Sequence, residues 1–553
     1  YDYKGNRQRG QVNFNDFFTK KDANGNYTRD IGSYRPNYIA GYLLNKFQFK
    51  DINFNIGLRV ERFDANTKVL KDPYSLYEVN TLADSRQLTD GFGNPRVKNT
   101  FTEGGITPSN IGDDYVVYVN NNESATPSVI GYRDGDTWYD PYGRVVEDPR
   151  SLTQYSGGRA PQPYLANNKA RITDSTFDPN SSFTDYKPQI NVMPRILFNF
   201  PISDEAMFYA HYDVIVQRPK SNVFTAPSDY YFLTANQGGL INNPDLKPEK
   251  SFDYELGFKQ KISESSALTI SGFYRERKDM IQVRPYLYAY PTTYYTYGNR
   301  DFSTTKGMTV RYDMRRTGNM RLDVAYTLQF ANGTGSGTTS SISNPNQPSS
   351  PGLLQGFISA GLPNIRTVFP LNVDVRHNIV TTLDYRYAKG KGPMVGNKHI
   401  LEQAGANFIF RTRSGEPYTK YSFPRNIANT VDGQIAGARL PWHFMIDLKL
   451  DKDFNLNFIK KNKEVTKPTR QLYVNAYVLI TNLLNTRDIL AVDGYTSRPD
   501  DDGYLTHPQG VQTTRNQYNA QSFIDLYSAN LIGIGSDRLN LPRRINLGLN
   551  FNF

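Results

Sequence analysis

A chain of 553 residues with 40 Tyr and 32 Phe, yet only 38% hydrophobic residues and a mean hydropathy of -0.60, joins aromatic richness to low overall hydropathy. Disordered chains are poor in aromatics, and a helical membrane protein needs runs of about 18 or more apolar residues, which this sequence lacks, so both classes are excluded. Zero Cys removes disulfide frameworks, thiolate metal sites and cysteine nucleophiles, and the net charge of +11 is spread along the chain. The nearest thing to a basic run, Lys460, Lys461, Lys463 and Lys467, is a short connection, so no nucleic-acid partner is expected. An anionic membrane surface such as lipopolysaccharide remains compatible.

Taken in chain order, about fourteen segments alternate apolar and polar residues with the period of two that places successive side chains on opposite faces of a strand. They lie near residues 10, 37, 53, 188, 206, 250, 266, 304, 320, 374, 402, 442, 470 and 543. Phe252, Tyr254, Leu256 and Phe258 alternate with Asp253, Glu255, Gly257 and Lys259; Phe444, Ile446, Leu448 and Leu450 alternate with His443, Met445, Asp447 and Lys449. A charged face this regular needs water behind it.

The connections alternate too. Residues 50–52, 201–205, 262–265 and 316–319 are short turns, whereas 64–187, 219–249, 280–300, 333–373, 421–440 and 487–540 are long. Short periplasmic turns and long extracellular loops mark an outer-membrane barrel. The fold class is therefore all-β: an antiparallel transmembrane β-barrel with long extracellular loops, residues 1–553 forming its carboxy-terminal part and 64–187 a long extracellular insertion. A soluble propeller should repeat every 40 to 50 residues or so, and no such repeat is found. An even strand number would put Tyr1 on the periplasmic side, and the absence of an initiator Met or signal peptide suits a mature or truncated form.

Little here looks catalytic. His211, His377, His399, His443 and His507 have no metal-ligand spacing, no nucleophile motif is present, and the protein is not expected to be an enzyme. No cofactor is expected. Asp134, Asp136 and Asp140, or Asp500, Asp501 and Asp502, supply the hard oxygens a loop Ca²⁺ would take, but without the full twelve-residue pattern a solvated loop is the stronger expectation. The most suggestive feature is aromatic: Tyr286, Tyr288, Tyr290, Tyr294 and Tyr295 crowd one expected loop, and Tyr230, Tyr231 and Phe232 lie in the preceding one. Tyrosine offers an apolar face with a polar tip, suited to sugar rings, peptides or the wet rim of a transporter mouth. An interfacial girdle or packing within the loops is the alternative.

Several segments resemble one family. Asn243, Pro244, Asp245, Leu246, Lys247, Pro248, Glu249 and Lys250, leading into Asp253 to Gly257, are similar to the most recognisable barrel segment of TonB-dependent receptors, particularly the Bacteroidetes-type subfamily with a carboxypeptidase-regulatory-like domain. Arg413 to Thr419, Thr481 to Arg487 and Pro542 to Phe553 match in the same order. The alternating Ile545, Leu547, Leu549, Phe551 and Phe553 resemble the signal read by the barrel-assembly machinery.

The resemblance implies part of a barrel of about 22 strands, lacking its plug, in the bacterial outer membrane. It implies uptake of a bulky solute such as a peptide, glycan or chelate, with TonB engaged through a missing amino-terminal region whose coupling residues match no position here. A surface lipoprotein or another subunit is a further partner to expect at the long insertion. A non-transporting structural or assembly barrel, and a diffusion porin, are the competing readings.

Overall fold

The computed structural model describes residues 5, 7 and 10–552, except 91, 168–170, 220–223, 236–239, 338–367, 429 and 458–470. Thirteen strands follow one another as antiparallel neighbours in a single sheet. They are β1 (Asn37–Phe49), β2 (Ile52–Asp64), β3 (Gln189–Ser203), β4 (Ala206–Gln217), β5 (Glu249–Ser263), β6 (Ser266–Tyr286) and β7 (Tyr294–Thr317). The path continues through β8 (Met320–Gly333), β9 (His377–Arg386), β10 (Ala404–Arg413), β11 (His443–Asn457), β12 (Gln471–Thr481) and β13 (Arg544–Asn552). Each strand pairs with the next in the chain, and β1 and β13 have one neighbour each among the described residues.

The expected strand near residue 10 does not form. Residues 10–15 are irregular and a single helical turn, Asp16–Thr19, follows, which turns Phe17 and Phe18 together into one aromatic core. The count is thus odd. β1 runs towards the short turn at 50–51, so residues 10–36 lie at the long-loop end and pack there against Phe177, Phe183 and Tyr230. The expectation for Tyr1 itself falls outside the described residues, as does that for the Lys460 to Lys467 connection.

The sheet is inside out compared with a soluble protein. Asp253, Asp447 and Asp451 are less than a tenth exposed, whereas Leu256 is 58% and Leu547 79% exposed on the opposite face. On the apolar face, cross-strand registers bring Ile56, Ile196 and Tyr212 into one row, and Phe408, Leu448 and Ile480 into another. This band is where hydrocarbon replaces water. No helix is long and apolar enough to cross a membrane among the described residues.

On the polar face, small and large residues are matched across strands. Tyr209 lies opposite Gly257, and Tyr477 opposite Gly548. A Cβ on Gly257 would fall 2.1 Å from Tyr209 Cζ, and one on Gly548 2.3 Å from Tyr477 Cζ, so each ring occupies the space its glycine vacates. Gly272, whose added Cβ would find its nearest atom at 3.9 Å, has no such neighbour.

β6 and β7 have 21 and 24 residues, about twice the 9 to 11 that cross a bilayer at a tilt. They continue as a hairpin above the wall, and a bulge between Arg277 and Met280, with Asp279 at φ 56°, marks the departure. Overpacking a close site costs about 1–3 kcal/mol, so Gly257→Val should lower stability to urea in detergent by that amount, Tyr209→Ala should restore it in the same chain, and Gly272→Ala should change little. Equal stability of Gly257→Val and the unaltered protein would show that the ring does not need the gap.

Candidate functional site

The polar face of the wall is a lattice of cross-strand ion pairs. Arg195 reaches Asp213 at 2.9 Å, Arg275 reaches Asp253 at 2.5 Å and Arg277 reaches Glu249 at 3.1 Å. Further round, Arg311 lies 2.9 Å from Asp313 on its own strand and 3.7 Å from Asp323 on the next, and Arg316 lies 2.6 Å from Asp384; Arg386 bridges Asp451 at 2.5 Å and Asp453 at 3.2 Å, and Arg411 pairs with Asp447. Arg195 with Asp213 and Arg275 with Asp253 are opposite signs at directly facing positions of neighbouring strands, which favours their register. The result is a polar wall in which most charge is already neutralised.

Above it, residues 65–188 fold as a small unit rather than an open loop. Five short strands pair in the order Val145–Val146, Thr137–Tyr139, Val129–Asp134, Val116–Val119 and Gln162–Pro163. A helix at Leu82–Gln87 starts in a reciprocal cap between Thr81 and Asp84. A large aromatic core then joins this unit to the rest of the long-loop end: Tyr74, Tyr118 and Trp138 of the insertion share it with Phe17 and Phe18, with Tyr230, and with Tyr286 and Tyr294 of the β6–β7 hairpin.

This determines where the expected binding tyrosines lie. Tyr286, Tyr294 and Tyr295 are on strands, not in a loop, because the pairing of β6 with β7 continues as far as Tyr286 and Tyr294; Tyr286 stacks on Tyr294 with ring centroids 5.3 Å apart. Those three and Tyr230 are buried, while Tyr231, Tyr288 and Tyr290 are half-buried and Phe232 is 56% exposed. Packing within the loops accounts for the buried rings, which a ligand cannot touch without opening the core.

The residues that organise this core were not picked out by sequence. Arg284, only 8% exposed, grips both oxygens of Asp136 at 2.7 and 2.8 Å and donates to the Tyr74 hydroxyl at 3.0 Å, while Tyr74 donates to Asp136 at 2.9 Å. Beside it Arg133 lies 2.5 Å from Asp72, donates to the Tyr118 hydroxyl at 3.2 Å and sits over the Tyr74 ring at 4.4 Å. The backbone follows suit: Leu76 N–H donates to Tyr290 O and Tyr290 N–H to Tyr74 O. The insertion is latched to the hairpin.

Of the Ca²⁺ candidates, Asp136, Asp140, Asp500 and Asp502 have protein partners. Asp136 belongs to Arg284, and Asp140 accepts from the Tyr142 and Arg144 backbone amides and pairs with the Arg144 side chain at 2.6 Å. Asp502 accepts from the Tyr504 amide and the Tyr527 hydroxyl, and Asp500 pairs with Arg498. Among the described residues no group of three His, Cys, Asp or Glu converges on a metal position. The histidines are dispersed likewise, with His377 on the Tyr326 hydroxyl and His399 on Gly392 O.

The family-like motifs prove to be joints. Asn243 donates to Tyr297 O at 2.9 Å, Leu246 is fully buried, Lys247 and Asn299 exchange two hydrogen bonds, and Glu249 takes both Arg277 and the Ile281 amide. Pro244 and Pro248 lie within this stretch, which docks the descending chain onto β6–β7. Asn482 and Asn485 take left-handed backbone at φ 54° and 52°, and Asn482 accepts from Thr486 while donating to Leu541 O. Ile545, Leu547, Leu549 and Phe551 alternate outward on β13 as expected, and Phe553 lies outside the described residues.

Burial pushes the Asp136 carboxyl up, but the hydrogen bonds and charge of Arg284 outweigh it and hold the group at about 2. A carboxyl lowered from an unfolded value near 3.9 stabilises above that pH and loses its contribution as pH falls towards the folded value. Hydrogen exchange at residues 74–77 and 286–294 should therefore be slow and pH-corrected rates constant at pH 7 and 5, then accelerate between about pH 4 and 2. Arg284→Met should raise exchange there already at neutral pH, by the equivalent of about 1–3 kcal/mol for a lost charged hydrogen-bond set. Unchanged protection in that variant would mean that the aromatic core alone holds the insertion.

Comparison with known proteins bears on this arrangement. A family model described as TonB dependent receptor-like, beta-barrel matches residues 157–483, more than half of the chain. Among solved structures the chain is similar to the FrpB iron transporter from Neisseria meningitidis (F3-3 variant), with 11% identity, TM-score 0.38, and coverage of 83% of this chain and 42% of that one. It is also similar to the ferric-catecholate import receptor Fiu from K12 E. coli (11%, TM-score 0.36, 84% and 42%) and the ferric yersiniabactin uptake receptor FyuA from Yersinia pestis (11%, TM-score 0.36, 82% and 41%). The chain thus spans less than half the length of these structures, and no curated protein sequence matches it. With the family match running from the insertion through β3 to the end of β12, the chain belongs to the TonB-dependent receptor-like β-barrels of the bacterial outer membrane.

Proposed function

We propose that this chain is the carboxy-terminal portion of an energised uptake receptor, of the Bacteroidetes-type subfamily with a carboxypeptidase-regulatory-like domain. A plug and a TonB-contacting segment belong to the remainder of the protein, and a bulky solute (peptide, glycan or chelate) passes the wall when TonB displaces the plug. The observation that carries the reading is the polarity of the sheet: a long ion-paired face backed by an outward apolar face. Barrels of about eight strands fill their interiors with side chains, whereas those of about 22 enclose a lumen that needs a plug. Thirteen strands whose two edge strands have one neighbour each among the described residues suit a wall completed by strands from the remainder of the protein.

The latched insertion supports a receptor role rather than simple diffusion, because it supplies a rigid extracellular surface. Solute or a surface lipoprotein would meet the rings that reach solvent, Tyr231, Phe232 and Tyr288, held in place by the buried tyrosines behind them. Planar-bilayer recording on the full-length protein tests the proposal: it should be almost silent, and removal of the plug should open a steady conductance. A steady conductance from the intact protein would identify a diffusion porin instead.

A further inference from the structure

The hydrocarbon-facing side of the wall is not uniformly bulky. Near the short-turn end of β9 to β13, three alanines, Ala404, Ala406 and Ala476, floor a groove of about 880 Å³. Tyr385 and Tyr387 form one bank, and Leu547 and Leu549 the other. From β9 to β13 are four inter-strand spacings, about 19 Å in all, and half the hydrocarbon core of a bilayer is about 15 Å. The groove therefore has the length of one acyl chain from one leaflet.

A lysine stands on this floor. Cross-strand register places Lys452 directly between Ala404 and Ala476, and its ammonium donates to Ile400 O. It forms no ion pair among the described residues, whereas the arginines of the opposite face are matched to carboxylates. A lone cation on the apolar side, at the level where the Tyr385 and Tyr387 rings pack edge to face, sits at the boundary between hydrocarbon and headgroups. Short turns being periplasmic in this family, that boundary is the periplasmic one.

We propose that this groove binds a glycerophospholipid of the periplasmic leaflet with a net negative headgroup, its phosphate on Lys452 and one acyl chain laid across the alanine floor. The chain fills space that the alanines leave, and the headgroup neutralises a cation that has no ion pair among the described residues. The proposal needs only the membrane orientation, so it stands or fails independently of transport.

The test uses the full-length protein, extracted in mild detergent, delipidated, and titrated with phosphatidylglycerol or phosphatidylcholine under native mass spectrometry. One phosphatidylglycerol should bind more tightly than any phosphatidylcholine. Lys452→Gln should weaken phosphatidylglycerol by about fivefold, the factor that one basic residue at a membrane surface supplies, and leave phosphatidylcholine unchanged. Ala406→Trp, or Ala476→Leu should the first fail to fold, should abolish the tight site by filling the groove. Equal binding of the two lipids, or phosphatidylglycerol binding unchanged in Lys452→Gln and in the groove-filled variant, would overturn the proposal.

Discussion

Hydrocarbon offers no hydrogen-bond partner, and each backbone N–H or C=O left unmet in it costs several kcal/mol. That single constraint explains where this structure is regular and where it is not. The register shifts between neighbouring strands fall at Pro201/Ser203, Lys261/Ser263 and Met314/Thr317, next to short turns, and at Arg277/Met280 and Met280/Ile281, where the long hairpin leaves the wall. Between those points pairing is unbroken. Irregular backbone is confined to the ends, where water, or the folded insertion, can satisfy it.

The same constraint turns the sheet inside out. With apolar side chains directed to lipid, charged ones must share the inner face, and alternating strands bring Asp and Arg together there. Where the arginine stays open to water, as at Arg275 and Arg411, pairs of this kind contribute little stability each, about 0–1 kcal/mol. Their value lies in register: a slip of one residue would send every Arg to the lipid side. The Tyr209–Gly257 and Tyr477–Gly548 pairs work in the same direction by shape, because each ring fits only opposite its own glycine.

Strand positions were legible in the sequence because a two-sided environment imprints period two on it, as Phe252 to Lys259 and Phe444 to Leu450 show. Where alternation was too brief, the reading failed: Val12 and Phe14 mimic a strand, but the adjacent Phe17 and Phe18 serve a core on one side only. The tyrosines of 286–297 look like a loop because they are crowded; Tyr286 and Tyr294 pair on a hairpin and are buried because the insertion packs on it, a contact remote in sequence. The insertion was legible as a long segment and not as a fold, since its strands have two to six residues and their partners are remote in sequence. Arg284 and Asp136 pair across 148 residues, and no local pattern announces such a contact.

That pairing also distinguishes two kinds of attachment above the wall. The amino-terminal Phe18 holds to the insertion by ring contacts with Phe177 and Phe183, and Phe17 to Tyr231 beside it, contacts that are strong in sum but tolerant of rotation. Arg284 adds direction: its planar fork fits a carboxylate in one orientation, and the Tyr74 hydroxyl closes the triangle by accepting from the arginine and donating to the aspartate. An apolar side chain at 284 would fill the same core but would not select that alignment. Since Arg284 projects from a strand continuous with the membrane wall, the orientation of the insertion is set by the wall itself, and the surface it shows to solution keeps a fixed relation to the lumen beneath.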